Sequence, residues 1–264
     1  MNGLSHIAET FAAVKAEGRA ALMPYLTLGF PTPAASLEIL AAVASAGADL
    51  IELGIPFSDP LADGPTIQRS TQTALEQGMD VRTCLAQAAA LRRLGARQPL
   101  LLMGYYNPIL AYGAERFACD AAAAGADGFI IPDLPPEEAD QLETACQAYG
   151  LALVYLLSPT STPDRIARVA ARATGFIYLV SVAGVTGARK ELPLDLGGFI
   201  QRVRSVAQVP LAVGFGIATP EQARTVGRLA DGVIVGSALI NAIEKAAHPA
   251  QAAALFVQSL RGVL

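Results

Sequence analysis

Ala46-Gly-Ala-Asp-Leu-Ile-Glu52 is the stretch whose reading decides the fold. It is echoed by Ala124-Gly-Ala-Asp-Gly-Phe-Ile-Ile131, and Leu229-Ala-Asp-Gly-Val-Ile-Val235 is close to both. In each, a helix ends, the chain turns on small residues and an aspartate, and a buried strand begins. Outward from these points, short apolar runs bounded by Gly or Pro alternate with Ala/Leu/Arg/Gln-rich stretches of helical length. Strands are expected to end near Thr27, Leu53, Met103, Ile131, Leu156, Val180, Val213 and Val235, mostly 20 to 35 residues apart. That spacing suits one strand, one helix and two short loops. The longer interval from Leu53 to Met103 has room for two helices, about Thr66 to Glu76 and Val81 to Leu94. An amphipathic segment from about Ile7 to Lys15 precedes the first strand, and Ser237-Ala-Leu-Ile-Asn-Ala-Ile243 supplies a short helix after the last. Strands that read as continuous apolar runs point to a parallel sheet covered by helices. Eight such units in 264 residues fit a (β/α)8 barrel, an α/β fold with an extra N-terminal helix and extra helices after strands 2 and 8. Residues 1–264 are expected to form a single domain; a doubly wound open sheet is the alternative.

Composition narrows the class of protein. The chain is 53% hydrophobic and 16% charged, so a large core is available. No apolar run approaches the roughly 18 residues that cross a bilayer, and the first ten residues lack the basic-then-apolar order of a secretion signal. A net charge of -4 offers nothing for nucleic acid or an acidic membrane. Cys84, Cys119 and Cys146 are far apart in helical stretches, neither a disulfide framework nor a metal site, which fits a reducing, cytoplasmic setting.

In a barrel, chemistry sits at the carboxyl ends of the strands. Glu52 lies in an apolar strand, on the same face as Leu50, and the period-2 rule aims both into the barrel. It is either a structural carboxylate tied to an arginine or to backbone N–H groups, or a general acid–base tuned by burial. Asp63, before Gly64-Pro65-Thr66, is either a turn or cap residue or a carboxylate for a polar hydrogen of a substrate. Asp59, in Ser-Asp-Pro, reads as a turn former. Gly214-Phe-Gly216 and Gly236-Ser237 each precede a helical stretch; they are either plain turn glycines or places where backbone amides hold a phosphate. The loop 182–192 has the glycines of a lid, or of a flexible connection without function. Only three lysines occur (Lys15, Lys190, Lys245), none in an expected strand, and the two histidines, His6 and His248, flank or enter terminal helices. A Schiff base and a histidine metal site are therefore not expected, and carboxylate acid–base chemistry is.

Glu52-Leu-Gly-Ile-Pro-Phe-Ser-Asp-Pro-Leu-Ala-Asp-Gly-Pro-Thr-Ile-Gln68 closely resembles the signature of the tryptophan synthase alpha subunit family. So do Pro24-Tyr-Leu-Thr-Leu-Gly29, Met103-Gly-Tyr-Tyr-Asn-Pro108, Ile131-Pro-Asp-Leu-Pro135, the run from Tyr178 to Gly187, Gly214-Phe-Gly-Ile217 and Val235-Gly-Ser237. Tyr25, where phenylalanine is common, and Val182, where a polar or basic residue occurs, depart from the pattern. The resemblance implies cleavage of indole-3-glycerol phosphate to indole and glyceraldehyde 3-phosphate. It implies Glu52 and Asp63 as catalytic carboxylates, with Tyr25, Tyr105, Tyr178 and Thr186 at the substrate, Thr186 coupling the lid to Asp63. The amides of Gly187, Phe215, Gly216, Gly236 and Ser237 would grip the phosphate. It further implies a beta subunit that holds pyridoxal phosphate in an α2β2 assembly, with no cofactor or metal in this chain. A stand-alone lyase, a catalytically silent regulatory barrel and another sugar-phosphate barrel enzyme are the alternatives.

Overall fold

The computed structural model describes residues 2–180, 195–214 and 216–264. Eight strands lie among them: β1 Ala21–Thr27, β2 Ile51–Gly54, β3 Leu100–Met103, β4 Gly128–Ile130, β5 Ala152–Leu157, β6 Ile177–Val180, β7 Leu211–Gly214 and β8 Gly232–Val235. Each pairs in parallel with the next, and β8 pairs with β1, closing the barrel. The open-sheet alternative is thereby excluded.

Twelve α-helices flank the strands among the described residues: α1 Gly3–Ala16, α2 Pro33–Ser45, α3 Pro65–Glu76, α4 Val81–Arg93, α5 Tyr106–Tyr112, α6 Ala114–Ala123, α7 Asp140–Tyr149, α8 Pro163–Arg172, α9 Leu196–Arg204, α10 Pro220–Gly227, α11 Ser237–Glu244 and α12 Pro249–Arg261. Thr-Pro opens three of them. Thr32, Thr162 and Thr219 each accept an N–H from the first turn, and the proline behind each stands where no helical N–H partner exists. The expected doubling after strand 2 is α3 and α4, and that after strand 8 is α11 and α12. The connection after β3 also doubles, into α5 and α6, which the sequence reading had not separated.

Alternation along each strand sorts side chains into two cores. Leu22, Leu53, Leu102, Phe129, Leu153 and Val213 point outward under the helices. Met23, Leu50, Leu101, Ile130, Val154 and Ile234 fill the barrel. Helix α1 plugs the end where the strands begin. Its Ile7, Phe11 and Val14 join the inner core, and the Phe11 and Phe176 rings meet at 5.8 Å.

The repeated aspartates lie at that same end. Asp49 donates its N–H to Leu22 O at 2.9 Å and accepts the Leu22 N–H on Oδ2 at 2.8 Å. Asp127 does the same to Leu100, at 2.8 and 2.7 Å, and Asp231 to Leu211, at 2.8 and 2.8 Å. These leucines begin or nearly begin their strands, where the neighbouring strand has not yet started and supplies no ladder partner. The fourth clasp, at β5, uses a hydroxyl: Thr174 Oγ1 accepts the Leu153 N–H at 2.9 Å and donates to its carbonyl at 3.2 Å. The echo in the sequence is thus a clasp on alternate strands.

Candidate active site

Strand β2 carries the acid. Glu52 pairs in register with Tyr25 of β1 and Leu101 of β3, so its side chain shares the inner face with Leu50. It is fully buried, and neither carboxylate oxygen has a hydrogen-bond partner among the described residues. Among the described residues no arginine or backbone N–H bonds to it, which weighs against the structural reading. Burial alone pushes its pKa up to about 8, because the charged form loses its hydration. At neutral pH the group is mainly a neutral acid, able to give a proton and take one back.

Asp63 comes from the loop between β2 and α3. A turn closes that loop, with Asp63 N–H donating to Pro60 O at 3.0 Å, and Gln68 Nε2 holds the Asp63 carbonyl at 2.9 Å. Tyr105, just beyond β3, accepts the Ala62 N–H at 3.0 Å and donates to Asp63 Oδ2 at 3.0 Å. Its ring lies 5.5 Å from that of Phe57. Burial, and then the Asp63 charge, hold the Tyr105 phenol well above its usual pKa. Asp59 is exposed, and its carboxylate accepts from Ser58 Oγ at 2.5 Å.

Glu52 and Asp63 border one cavity of about 440 Å³, counted out to its mouth. Tyr25, Glu52, Asp63 and Tyr178 line one part, and Gly216, Ile217, Gly236 and Ser237 another. Tyr105 stands behind Asp63 rather than in this lining. Ser237 opens α11 with a buried Oγ that has no hydrogen-bond partner among the described residues, and Gly216 has φ 88°, the left-handed region that favours glycine. Two further glycines give the tyrosines room. A Cβ on Gly54 would lie 2.2 Å from the Tyr25 hydroxyl oxygen, and one on Gly214 would lie 2.1 Å from that of Tyr178. Burial raises both phenols far above their usual pKa; the next contributor is Asp63 for Tyr25 and Glu52 for Tyr178.

Thr186, Gly187 and Phe215, with Val182 and the loop 182–192, lie outside the described residues. Ile67, Met103, Ile217 and Ile234 complete the apolar wall; as candidates they were missed, although Met103 follows Leu101 by two and so faces inward. Other strand-end residues serve the loops. Asp133 accepts the Tyr106 N–H at 2.9 Å, and Ser158 accepts a hydroxyl contact from or gives one to Thr160 at 2.9 Å. Among the described residues no group of His, Cys, Asp and Glu could hold a metal ion, and no helix is long and apolar enough to cross a membrane.

Fold and cavity define a (β/α)8 barrel with two carboxylates, Glu52 and Asp63, on a cavity at the carboxyl ends of its strands. Residues 11–262 match the family model described as tryptophan synthase alpha chain, and the chain belongs to that family. A tryptophan synthase alpha chain of Roseiflexus castenholzii is 55% identical over 262 residues, covering 98% of this chain and all of the relative. Among solved structures, Mycobacterium tuberculosis tryptophan synthase superposes with a TM-score of 0.91 at 40% identity, over 97% of each chain. Tryptophan synthase subunit alpha of Legionella pneumophila gives 0.91 at 41%, over 100% of this chain and 98% of its own. With the family goes the alpha reaction of tryptophan biosynthesis, a lyase activity.

Proposed function

We propose that this chain cleaves indole-3-glycerol phosphate to indole and glyceraldehyde 3-phosphate with Glu52 as its general acid and base. The observation that carries the reading is a fully buried Glu52, without a hydrogen-bond partner among the described residues, in one cavity with Asp63 and with Gly216, Gly236 and Ser237.

The geometry suits a retro-aldol reaction in which the substrate is its own electron sink. Neutral Glu52 protonates C3 of the indole, giving an indolenine-like cation. The resulting carboxylate takes the proton from the adjacent glycerol hydroxyl. The O–H electrons form the aldehyde carbonyl, the C–C bond breaks, and its electrons return to the ring. Glu52 ends protonated, as it began. Asp63 accepts the ring N–H and stabilises positive charge on the indole, while Tyr105 holds Asp63 in place. Tyr25 and Tyr178 wall the ring. The amides at Gly216, Gly236 and Ser237, with Gly187 and Phe215, take the phosphate at the start of α11, and Thr186 couples the lid to Asp63.

The family name makes this an alpha subunit, and we assign it a beta-subunit partner in an α2β2 assembly that holds the pyridoxal phosphate; no step above uses that cofactor. The loop 56–65 suits the contact, since Leu61 is 87% exposed two residues before Asp63. Three free cysteines, two of them buried, accord with a cytoplasmic enzyme. The test is indole release from indole-3-glycerol phosphate, with and without a beta subunit. Turnover in both cases, faster with the beta subunit than without it, is expected. No turnover in either would leave a regulatory barrel. Leu61→Asp should raise the beta-subunit concentration needed for half-activation about tenfold, the cost of losing a buried apolar anchor; an unchanged titration would remove the loop from the interface.

A further inference from the structure

The Tyr25 hydroxyl begins a buried chain that leads away from the cavity. Its oxygen lies 3.2 Å from Thr27 Oγ1, which lies 2.7 Å from Ser70 Oγ. Ser70 donates to the Ile67 carbonyl at 2.8 Å. Thr27 and Ser70 are both fully buried. Each hydroxyl has a single proton. That of Ser70 is directed to Ile67, so Thr27 donates to Ser70, and Tyr25 in turn donates to Thr27.

The chain ends on a ring set between two parts of the cavity. The Tyr25 tip overhangs Gly54, two residues beyond Glu52, and a Cβ on Gly236 would lie 3.3 Å from its Cδ1. Gly236 precedes Ser237. At the other end, Ser70 belongs to α3, which begins two residues after Asp63. Three hydroxyls therefore tie the helix behind Asp63, the first strand, and the wall between Glu52 and Ser237.

We propose that Thr27 and Ser70 are positioning residues: acting through Tyr25, they set the width of the cavity between Glu52 and the Gly236–Ser237 turn, and with it the fit of the substrate's ring. This rests on the function proposed above. The chain is fully buried at Thr27 and Ser70, so cutting it anywhere strands a buried hydroxyl and releases the ring.

The experiment measures kcat and KM of the full-length chain on indole-3-glycerol phosphate and on a ring-methylated analogue. Thr27→Val keeps the shape of the side chain without its hydroxyl, and Thr27→Ser keeps the hydroxyl. Ser70→Ala and Tyr25→Phe cut the chain at its two ends. Thr27→Val and Ser70→Ala should each raise KM for the parent about tenfold, the effect of one lost buried hydrogen bond, with a smaller change in kcat. Both should narrow the preference for the parent over the methylated analogue. Thr27→Ser should stay within about threefold of wild type, and Ser70→Ala should add little in the Tyr25→Phe background. Unchanged KM and discrimination in Ser70→Ala, or equal factors in both backgrounds, would overturn the proposal. Should Ser70→Ala not fold, the Thr27 pair carries the same comparison. If the wild-type chain binds the substrate without cleaving it, the proposed function fails alone, and the same variants are compared by Kd.

Discussion

Asp49, Asp127 and Asp231, where the strands begin, and Glu52, near where β2 ends, are carboxylates held against the same apolar barrel under opposite conditions. Asp49 accepts both guanidinium arms of Arg19, at 2.7 and 2.8 Å. Asp127 has Arg92 at 2.5 Å and His6 at 2.8 Å, and Asp231 has Arg204 at 3.0 Å. Each also takes a backbone N–H. Glu52 has no partner among the described residues. A paired carboxylate ties elements together; a buried one without such partners holds its proton and can move it. The division matches the barrel's two ends, one serving stability and the other chemistry.

The sharpest way to break the comparison is Glu52→Gln. It keeps the shape and removes the acid, so kcat for indole release should fall at least about 100-fold, the low end for a general acid–base. The fold should survive, since no partner among the described residues is stranded. A folded variant with near-normal turnover would end the assignment.

The same substitution exposes a pH signature. Burial raises the folded-state pKa of Glu52 from 4.5 to about 8. Below 4.5 both folded and unfolded chains hold this proton. Between 4.5 and 8 only the folded chain does, so this group's contribution to stability falls as pH rises, and it levels off above 8. Glu52→Gln lacks that decline. Urea unfolding of both proteins should show the variant gaining on wild type by on the order of 1 kcal/mol per pH unit across the window. Wild-type kcat/KM should also drop above pH about 8, as the acid form is lost. Parallel stability profiles would mean that Glu52 is not desolvated as described.

Much of this was legible in the chain itself. Gly- and Pro-bounded apolar runs placed all eight strands, and the two-residue step from Leu50 to Glu52 placed the acid on the inner face. What stayed hidden was non-local or locally ambiguous. Tyr105 grips Asp63 across 42 positions, and Arg92 reaches Asp127 across 35, so the aspartate echo read as a turn rather than a clasp. Tyr105-Tyr-Asn-Pro108 follows a strand end and finishes on a proline. Yet Pro108 is the third residue of α5, within the first turn, where its missing N–H has no helical partner to lose. Ser70 resembled any polar residue of a helix until its partner on β1 was seen.

At the other end, Asp127→Ala should cost about 3 kcal/mol of stability, because Arg92 is left without its carboxylate in a partly buried place. The Leu100 N–H loses its acceptor as well. Turnover per folded molecule should hold, since no atom of this cluster borders the cavity. Arg92 also donates to the Gly125, Ala96 and Gln98 carbonyls, so Arg92→Met should itself cost stability, and the double variant should lose less than the two single losses added together. Strictly additive losses would show that the aspartate acts through the backbone alone.

Thr174 separates those two contributions. At β5 the clasp is made by one neutral hydroxyl, which accepts the Leu153 N–H and donates to the Leu153 carbonyl. Thr174→Val keeps the branched shape and deletes both bonds without stranding a charge, so unfolding in urea should show a loss of about 1 kcal/mol. Activity should be untouched, since Thr174 lies at the end where the strands begin and does not line the cavity. If Thr174→Val costs as much as Asp127→Ala, the strand-start hydrogen bonds rather than the ion pairs secure that end. The contrast with Glu52 would then be one of backbone satisfaction instead of charge pairing.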